Sequence, residues 1–191
     1  MPADRPAIRR LPVDDEVLGR YASDLWLPYN RDLADAVAAH DLADWPEERF
    51  VERHVEFARN QLADAGSRGW VAATADGAEG TNATEIDPAT ADLTDPSLDL
   101  VGLLMTSVDE CPDPFDRPDR LVIGEIYVAE PYRGTGLADR FVERAVTDAR
   151  DHGCEQLRLD ADVDNERAMR FYERTGFEEY RKQLTMAVDR P

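Results

Sequence analysis

The chain has 191 residues, within the usual range of one domain, and 42% of them are hydrophobic, enough to build a core. Forty-one acidic residues face 22 basic ones, a net charge of −19, which argues against nucleic-acid binding, because phosphate contacts drive that affinity. No apolar run approaches the ~20 residues that span a bilayer, and "MPADRPAIRR" lacks the apolar stretch of a signal peptide, so a soluble cytoplasmic protein is expected.

The acid is spread along the whole chain, and every basic residue except Lys182 is arginine. That pattern fits adaptation to a salty cytoplasm better than a surface evolved for one cationic partner, since salt screens the self-repulsion of densely spaced carboxylates. Cys111 and Cys154 stand apart without CxxC or CxxH spacing. Neither a metal site nor a disulfide framework is expected.

In chain order, "AIRRL" (Ala7 to Leu11) reads as a short strand. From Asp14 the pattern turns helical, with Val17, Leu18, Tyr21 and Leu25 at helical spacing. Pro28 in "WLPYN" breaks it, and a second short helical stretch runs from about Arg31 to Ala39. "DWPEERFVERHVEFARNQLADAG" is a long helix with Pro46 and two glutamates near its start and Gly66 at its stop. Its apolar stripe is Phe50, Val51, His54, Phe57, Ala58 and Leu62, with His54 read as a packing residue.

"WVAATA" (Trp70 to Ala75) and "LDLVGLLMTSV" (Leu98 to Val108) read as paired strands. Between them, residues 76–97 form an acidic, small-residue-rich loop insertion without periodicity. "RLVIGEIYVAE" is a central strand, on which alternation puts Glu125 on one face with Ile123 and Tyr127. A helix follows with Leu137, Phe141, Ala145 and Ala149 on one face. "EQLRLDADV" alternates as a strand, "NERAMRFYERTGF" is a compact helix, and "YRKQLTMAV" (Tyr180 to Val188) alternates as a last strand. This order predicts a single α/β domain over residues 1–191, with one sheet and helices on both faces.

Chemistry concentrates at "VAEPYRGTGLADRF", where an apolar strand gives way to an amphipathic helix. A helix N-terminus presents unpaired N–H groups and about half a positive charge. Gly134 and Gly136 let the preceding loop turn without Cβ clashes, so that successive N–H groups converge on one anion. Arg133 adds a forked donor suited to phosphate. On these grounds the stretch is either a glycine-bearing strand–helix turn or a grip for a pyrophosphate. It is neither a Walker loop nor a GxGxxG fingerprint.

The run from Arg133 through Gly134, Thr135, Gly136 and Leu137 to Ala138 has the pattern Arg/Gln-x-x-Gly-x-Gly/Ala. It follows the strand ending "IYVAEPY", and "NERAMRFYERTGF" comes one strand later. Over about Leu121 to Phe177 the chain resembles the GNAT superfamily of acyl-CoA-dependent N-acetyltransferases. The resemblance implies a central mixed sheet of six to seven strands. It implies acetyl-CoA as co-substrate, an amine as acceptor, and direct transfer without a covalent acyl-enzyme. It assigns the loop from Arg133 to Ala138 to the CoA pyrophosphate. The backbone of Ile126, Tyr127 and Val128 would run beside the pantetheine arm, with the Val128 N–H meeting charge that develops on the acyl oxygen. Asn165 matches the residue that contacts the cofactor arm, although helix capping explains an asparagine there as well. Tyr172 matches the tyrosine that protonates the departing thiolate.

An alkylammonium must lose its proton before it can attack. Glu125 is the candidate base, because an acid in mid-strand is costly without a task or a partner. Asp160 is the reserve, and a partnered structural glutamate is the competing reading of Glu125. The acceptor pocket is expected to draw on Trp26, Tyr29, Asn30, His40 and Trp45, and a homodimer is compatible with the sequence. The rival function is a CoA-binding regulatory or interaction module without turnover.

Overall fold

The structure is a computed structural model that describes residues 5–75, 86–186 and 188. It divides into two compact units, Met1–Asp160 and Ala161–Pro191. The first holds one five-stranded sheet in the order β1-β2-β3-β4-β5. Its strands are β1 (Ala7–Arg10), β2 (Ser67–Thr74), β3 (Asp99–Asp109), β4 (Arg120–Val128) and β5 (Gln156–Leu159). β1 to β4 pair antiparallel, and β5 joins β4 in parallel. Among the described residues five strands stand where six to seven were expected. The missing strand is the one read at Tyr180 to Val188, where residues 180–186 and 188 are not in a strand and Tyr180, Leu184, Met186 and Val188 are exposed. Alternation says which way side chains would point on a strand, but not whether a partner ladder exists.

One face of the sheet is covered by α1 (Asp15–Tyr21), α2 (Leu27–Ala36) and α3 (Glu47–Ala63). Asp14 caps α1, its carboxylate accepting from the N–H groups of Glu16 and Val17 at 3.0 and 3.2 Å. The expected break at Pro28 does not occur. A π turn, Ala22–Trp26, links α1 directly to α2, and Leu27 N–H donates to Ala22 O five residues back. Proline cannot donate to the carbonyl four residues before it. The widened turn just ahead of Pro28 absorbs that defect, and Asn30 Nδ2 donates to the Trp26 carbonyl at 2.8 Å. In α3, His54, Ala58 and Leu62 reach the core, while Phe57 stays 58% exposed, so the apolar stripe is narrower than its sequence.

The opposite face carries α4 (Leu137–Asp151), which buries Leu137, Phe141, Ala145 and Ala149 as expected, and also Asp148. Asp148 is satisfied in place: Thr106 Oγ1 on β3 donates to it at 2.7 Å and Arg68 Nε on β2 lies 3.4 Å away. The helix approaches β3 closely at Gly102, where a Cβ would lie 2.8 Å from Phe141 Cε2 and 2.9 Å from the Tyr127 carbonyl oxygen. A backbone oxygen cannot swing aside. Gly102→Ala is therefore expected to cost about 1–3 kcal/mol, lowering the thermal midpoint by roughly 3–10 °C. A circular-dichroism melt with an unchanged midpoint would show that this approach is looser than described.

The segment between β2 and β3 is described from residue 86, so the expectation for residues 76–85 lies outside the described residues. The described part is pinned to the domain. Arg9 donates to Pro88 O and Ala91 O, Arg20 donates to the carbonyls of Leu93, Asp95 and Leu98, and Leu93 and Leu98 are buried.

β4 departs from simple alternation. Met105 faces Glu125 across the ladder and the next residue, Thr106, faces Ile123, so Gly124 is an extra residue on β4. Such a bulge reverses the side on which the preceding residues lie. Ile123 therefore lies with Thr106 on the α4 face. Glu125 and Tyr127 lie opposite Met105 and Leu103, which pack in the core with Tyr21 and Leu25. The expectation that Ile123 shares a face with Glu125 is corrected; Tyr127 does share it.

Candidate active site

The bulge sits where β4 loses its outer neighbour. β5 pairs with β4 only from Arg120/Gln156 to Ile123/Leu159. Beyond that, residues 124–128 have β3 on one side and, among the described residues, no paired strand on the other. Ala129 N–H donates to Val101 O on β3 at 3.0 Å. Backbone groups alternate sides along an antiparallel strand, so Tyr127 turns its groups to β3 while Ile126 and Val128 turn theirs to the open edge. There the Val128 carbonyl already accepts from Arg133 Nε at 3.1 Å. An extended chain could dock on this edge as an additional strand.

The turn Glu130–Tyr132 leads from β4 into the glycine loop. Gly134 and Gly136 have φ of 76° and 86°, the left-handed region that favours glycine, and a Cβ at either position would meet nothing within 4 Å. Gly136 is the N-cap of α4 and supplies no side-chain acceptor, so the first N–H groups of the helix are not capped from that position. Thr135 Oγ1 donates back to Tyr132 O at 2.7 Å and tightens the loop. Leu137 is buried and anchors the first turn, with Ala138 partly buried beside it. Open space, left-handed glycines and a helix N-terminus together fit a diphosphate.

Arg133, expected to face phosphate, has protein partners in this structure. Its guanidinium is ion-paired with Asp32 on α2 and lies 5.9 Å from the Tyr127 ring centre. The side chain thus ties the loop to α2 and to the end of β4.

Glu125 is partly exposed, yet its carboxylate is held from the helical face. Tyr21 Oη donates to Glu125 Oε2 at 3.0 Å, and the Trp26 side chain bonds to the same group. Burial outweighs these two bonds and raises the Glu125 carboxyl above the usual carboxylate range. Burial, reinforced by Glu125, also raises the Tyr21 phenol well above its ordinary value, so it remains a donor. Trp26 stacks on His54 with ring centres 3.9 Å apart, and burial pushes the His54 imidazole down to about 4, which keeps it neutral at physiological pH. His54 is thus the packing histidine expected.

Of the proposed acceptor-wall residues, Trp26 touches Glu125, and Tyr29 packs against Tyr127 at 5.8 Å between ring centres. Asn30 and His40 lie 3.4 Å apart and bond to each other, while Trp45 packs with Phe50 under the Arg49 guanidinium. Sequence reasoning named Tyr21 only as a core position and did not name Asp32. The available signal for Tyr21 was the acid itself, since a buried carboxylate requires donors and an aromatic hydroxyl on the covering helix is a ready one.

Asp160 follows β5, is 83% exposed and pairs with Arg158 at 3.0 Å. In the C-terminal unit, α5 (Glu166–Arg174) is capped by Asn165, whose Oδ1 accepts from Ala168 N–H at 3.1 Å. Tyr172 packs edge-on against Phe171 and Phe177, and burial raises its phenol so that it stays protonated. Both cysteines are free thiols, and burial raises the Cys154 thiol. Among the described residues no group of three or more His, Cys, Asp or Glu side chains is gathered in a metal-binding arrangement, and no helix is long and apolar enough to cross a membrane.

Known proteins are similar to this chain. The Acetyltransferase (GNAT) family matches residues 35–177. The chain is 42% identical over 55 residues to an N-alpha-acetyltransferase MAK3 of Arabidopsis thaliana, covering 29% of each chain. It is 35% identical over 60 residues to N-alpha-acetyltransferase 30 of Schizosaccharomyces pombe, covering 31% of this chain and 40% of that protein. The matched stretches thus span well under half of these relatives. In fold, the chain resembles the aminoglycoside N-acetyltransferase AAC(6')-Iy in complex with CoA, with a TM-score of 0.63 at 15% identity and 98% of both chains covered. With the family match running from α2 through the glycine loop to the end of α5, this chain belongs to the GNAT acetyltransferase family.

Proposed function

We propose that this protein transfers an acetyl group from acetyl-CoA to a primary amine by direct attack, without a covalent acyl-enzyme. The observation that carries the reading is the partly buried Glu125 carboxylate, raised in basicity and gripped by two donors. It lies on the one stretch of β4 whose outer edge is open. Bound acetyl-CoA would supply the activated acyl thioester. The loop from Arg133 to Ala138 would hold its diphosphate, mainly through backbone N–H groups, and the backbone of Ile126, Tyr127 and Val128 would align its arm. The Val128 N–H is the donor for the acyl oxygen, because its carbonyl is occupied by Arg133 and its N–H shares the open side.

Glu125 serves as the base that takes the ammonium proton, directly or through water. Asp160 suits that task less, since it is exposed and already paired with Arg158. Tyr172, kept protonated by burial, supplies the proton for the thiolate, and Asn165 supports the cofactor arm. The single domain over residues 1–191, the cytoplasmic salt-adapted setting and the possible homodimer belong to the same proposal.

The relatives' names suggest the acceptors to try: a peptide with a free α-amino group, an aminoglycoside and, for the acidic surface, a polyamine. With acetyl-CoA at high KCl, thiol release is expected with at least one of these amines. Tight CoA binding with no release from any amine would instead support a CoA-binding module without turnover.

A further inference from the structure

The π turn explains why Glu125 has two side-chain partners from one helical segment. On an α-helix, residues five apart are rotated by about 140° and face different directions. A π turn closes on the fifth residue, so Tyr21 and Trp26, which bracket Ala22–Trp26, come to the same side. Both then reach one carboxylate on β4. The widened turn is held from within and without: Leu27 N–H bonds to Ala22 O, Asn30 bonds to the Trp26 carbonyl, and Pro28 follows immediately.

We propose that Tyr21 and Trp26 are positioning residues for Glu125, two donors aligned by the π turn that lock its carboxylate and favour its ionised form. This deepens the reading of Glu125 as the base and rests on it.

The surroundings leave the two donors as the main polar influence from unit 1. From α1 the facing titratable group is Tyr21, from α2 Tyr29, from α3 His54, and from β4 itself Tyr127; β3 offers Met105. His54 is neutral and packs against the Trp26 and Tyr21 rings. The nearby Arg133 charge is paired with Asp32. Each donated hydrogen bond lowers the Glu125 carboxyl against the opposing effect of burial. Losing either one should therefore make the carboxyl still harder to ionise.

The test titrates Glu125 directly in the intact protein, by carbonyl-detected NMR on chains with 13C-labelled glutamate. Glu125→Gln identifies the resonance. In Tyr21→Phe, which keeps the ring and its packing, the midpoint is expected to rise by about one pH unit, the scale of one hydrogen bond to a charged group. Trp26→Phe should move it the same way. Melting curves confirm that both variants fold. An unmoved midpoint in both would overturn the proposal.

The pH dependence of kcat/KM, measured with whichever amine is acetylated, separates the two readings. If Glu125→Gln keeps the acid limb, the base assignment fails, while the NMR midpoints still decide the role of Tyr21 and Trp26. If Glu125→Gln abolishes the limb and Tyr21→Phe shifts it upward in step with the NMR midpoint, both stand.

Discussion

Glu125→Gln is expected to lower kcat/KM for the amine by about 10²–10⁴-fold near neutral pH, the range of a positioned general base. Binding of CoA should be nearly unchanged. Glutamine is close to glutamate in shape and can still accept from Tyr21 Oη and Trp26, so the two donors keep a partner. What it loses is the ability to take a proton. In the wild type, activity should fall on the acid side as the carboxyl protonates, and because burial raises that carboxyl the fall begins at a higher pH than an exposed glutamate would give. In the variant this limb should vanish and the residual rate should rise with pH as free amine accumulates. Steady-state kinetics from pH 5 to 9, with isothermal titration of CoA, checks both halves. A variant within threefold of wild type across that range would remove Glu125 from the chemistry.

Gly136→Val carries the second large effect, expected in the opposite parameter. At φ 86° a β-branched residue is strained, and its side chain would enter the open space in front of the α4 N-terminus, where the diphosphate is expected. The strain alone costs about 1–2 kcal/mol. That strain lowers the stability of the fold, whereas the blocked approach lowers affinity: the Kd for CoA should rise at least about tenfold, equivalent to ~1.4 kcal/mol. Alanine at the same position shares the strain but occupies less of the space, so Gly136→Ala should weaken CoA less than Gly136→Val while destabilising the fold about as much. Equal CoA affinity in wild type and the valine variant, in a folded protein, would place the diphosphate elsewhere.

Much of this protein can be read from residue order because its signals are local. The glycine loop, the amphipathic helix behind it, the strand ahead of it and the Asn165 cap each follow from short-range rules of turn chemistry and periodicity. Glu125 stands out for a similar reason, since a charge in an apolar strand demands an explanation wherever it occurs. Three expectations failed where local rules met a long-range constraint, the strand read at Tyr180 to Val188 among them. Pro28 suggested a break, but a π turn ahead of it lets the helix continue over the sheet. Strict alternation put Ile123 beside Glu125, but one extra residue at Gly124 turned it to the other face.

Sequence by itself pointed to the candidate residues for the chemistry and to most of the helices and strands, because these signals depend on neighbours a few positions away. Only the tertiary structure decided their partners: Tyr21 and Trp26 on Glu125, Asp32 on Arg133, and β5 ending at Leu159 so that one edge of β4 stays open. Tyr21 and Glu125 are 104 residues apart along the chain. No period or turn rule relates positions at that distance. Their contact follows from the apolar face of α1 burying itself against β3 and β4, with the π turn setting the rotation at which that helix meets the carboxylate.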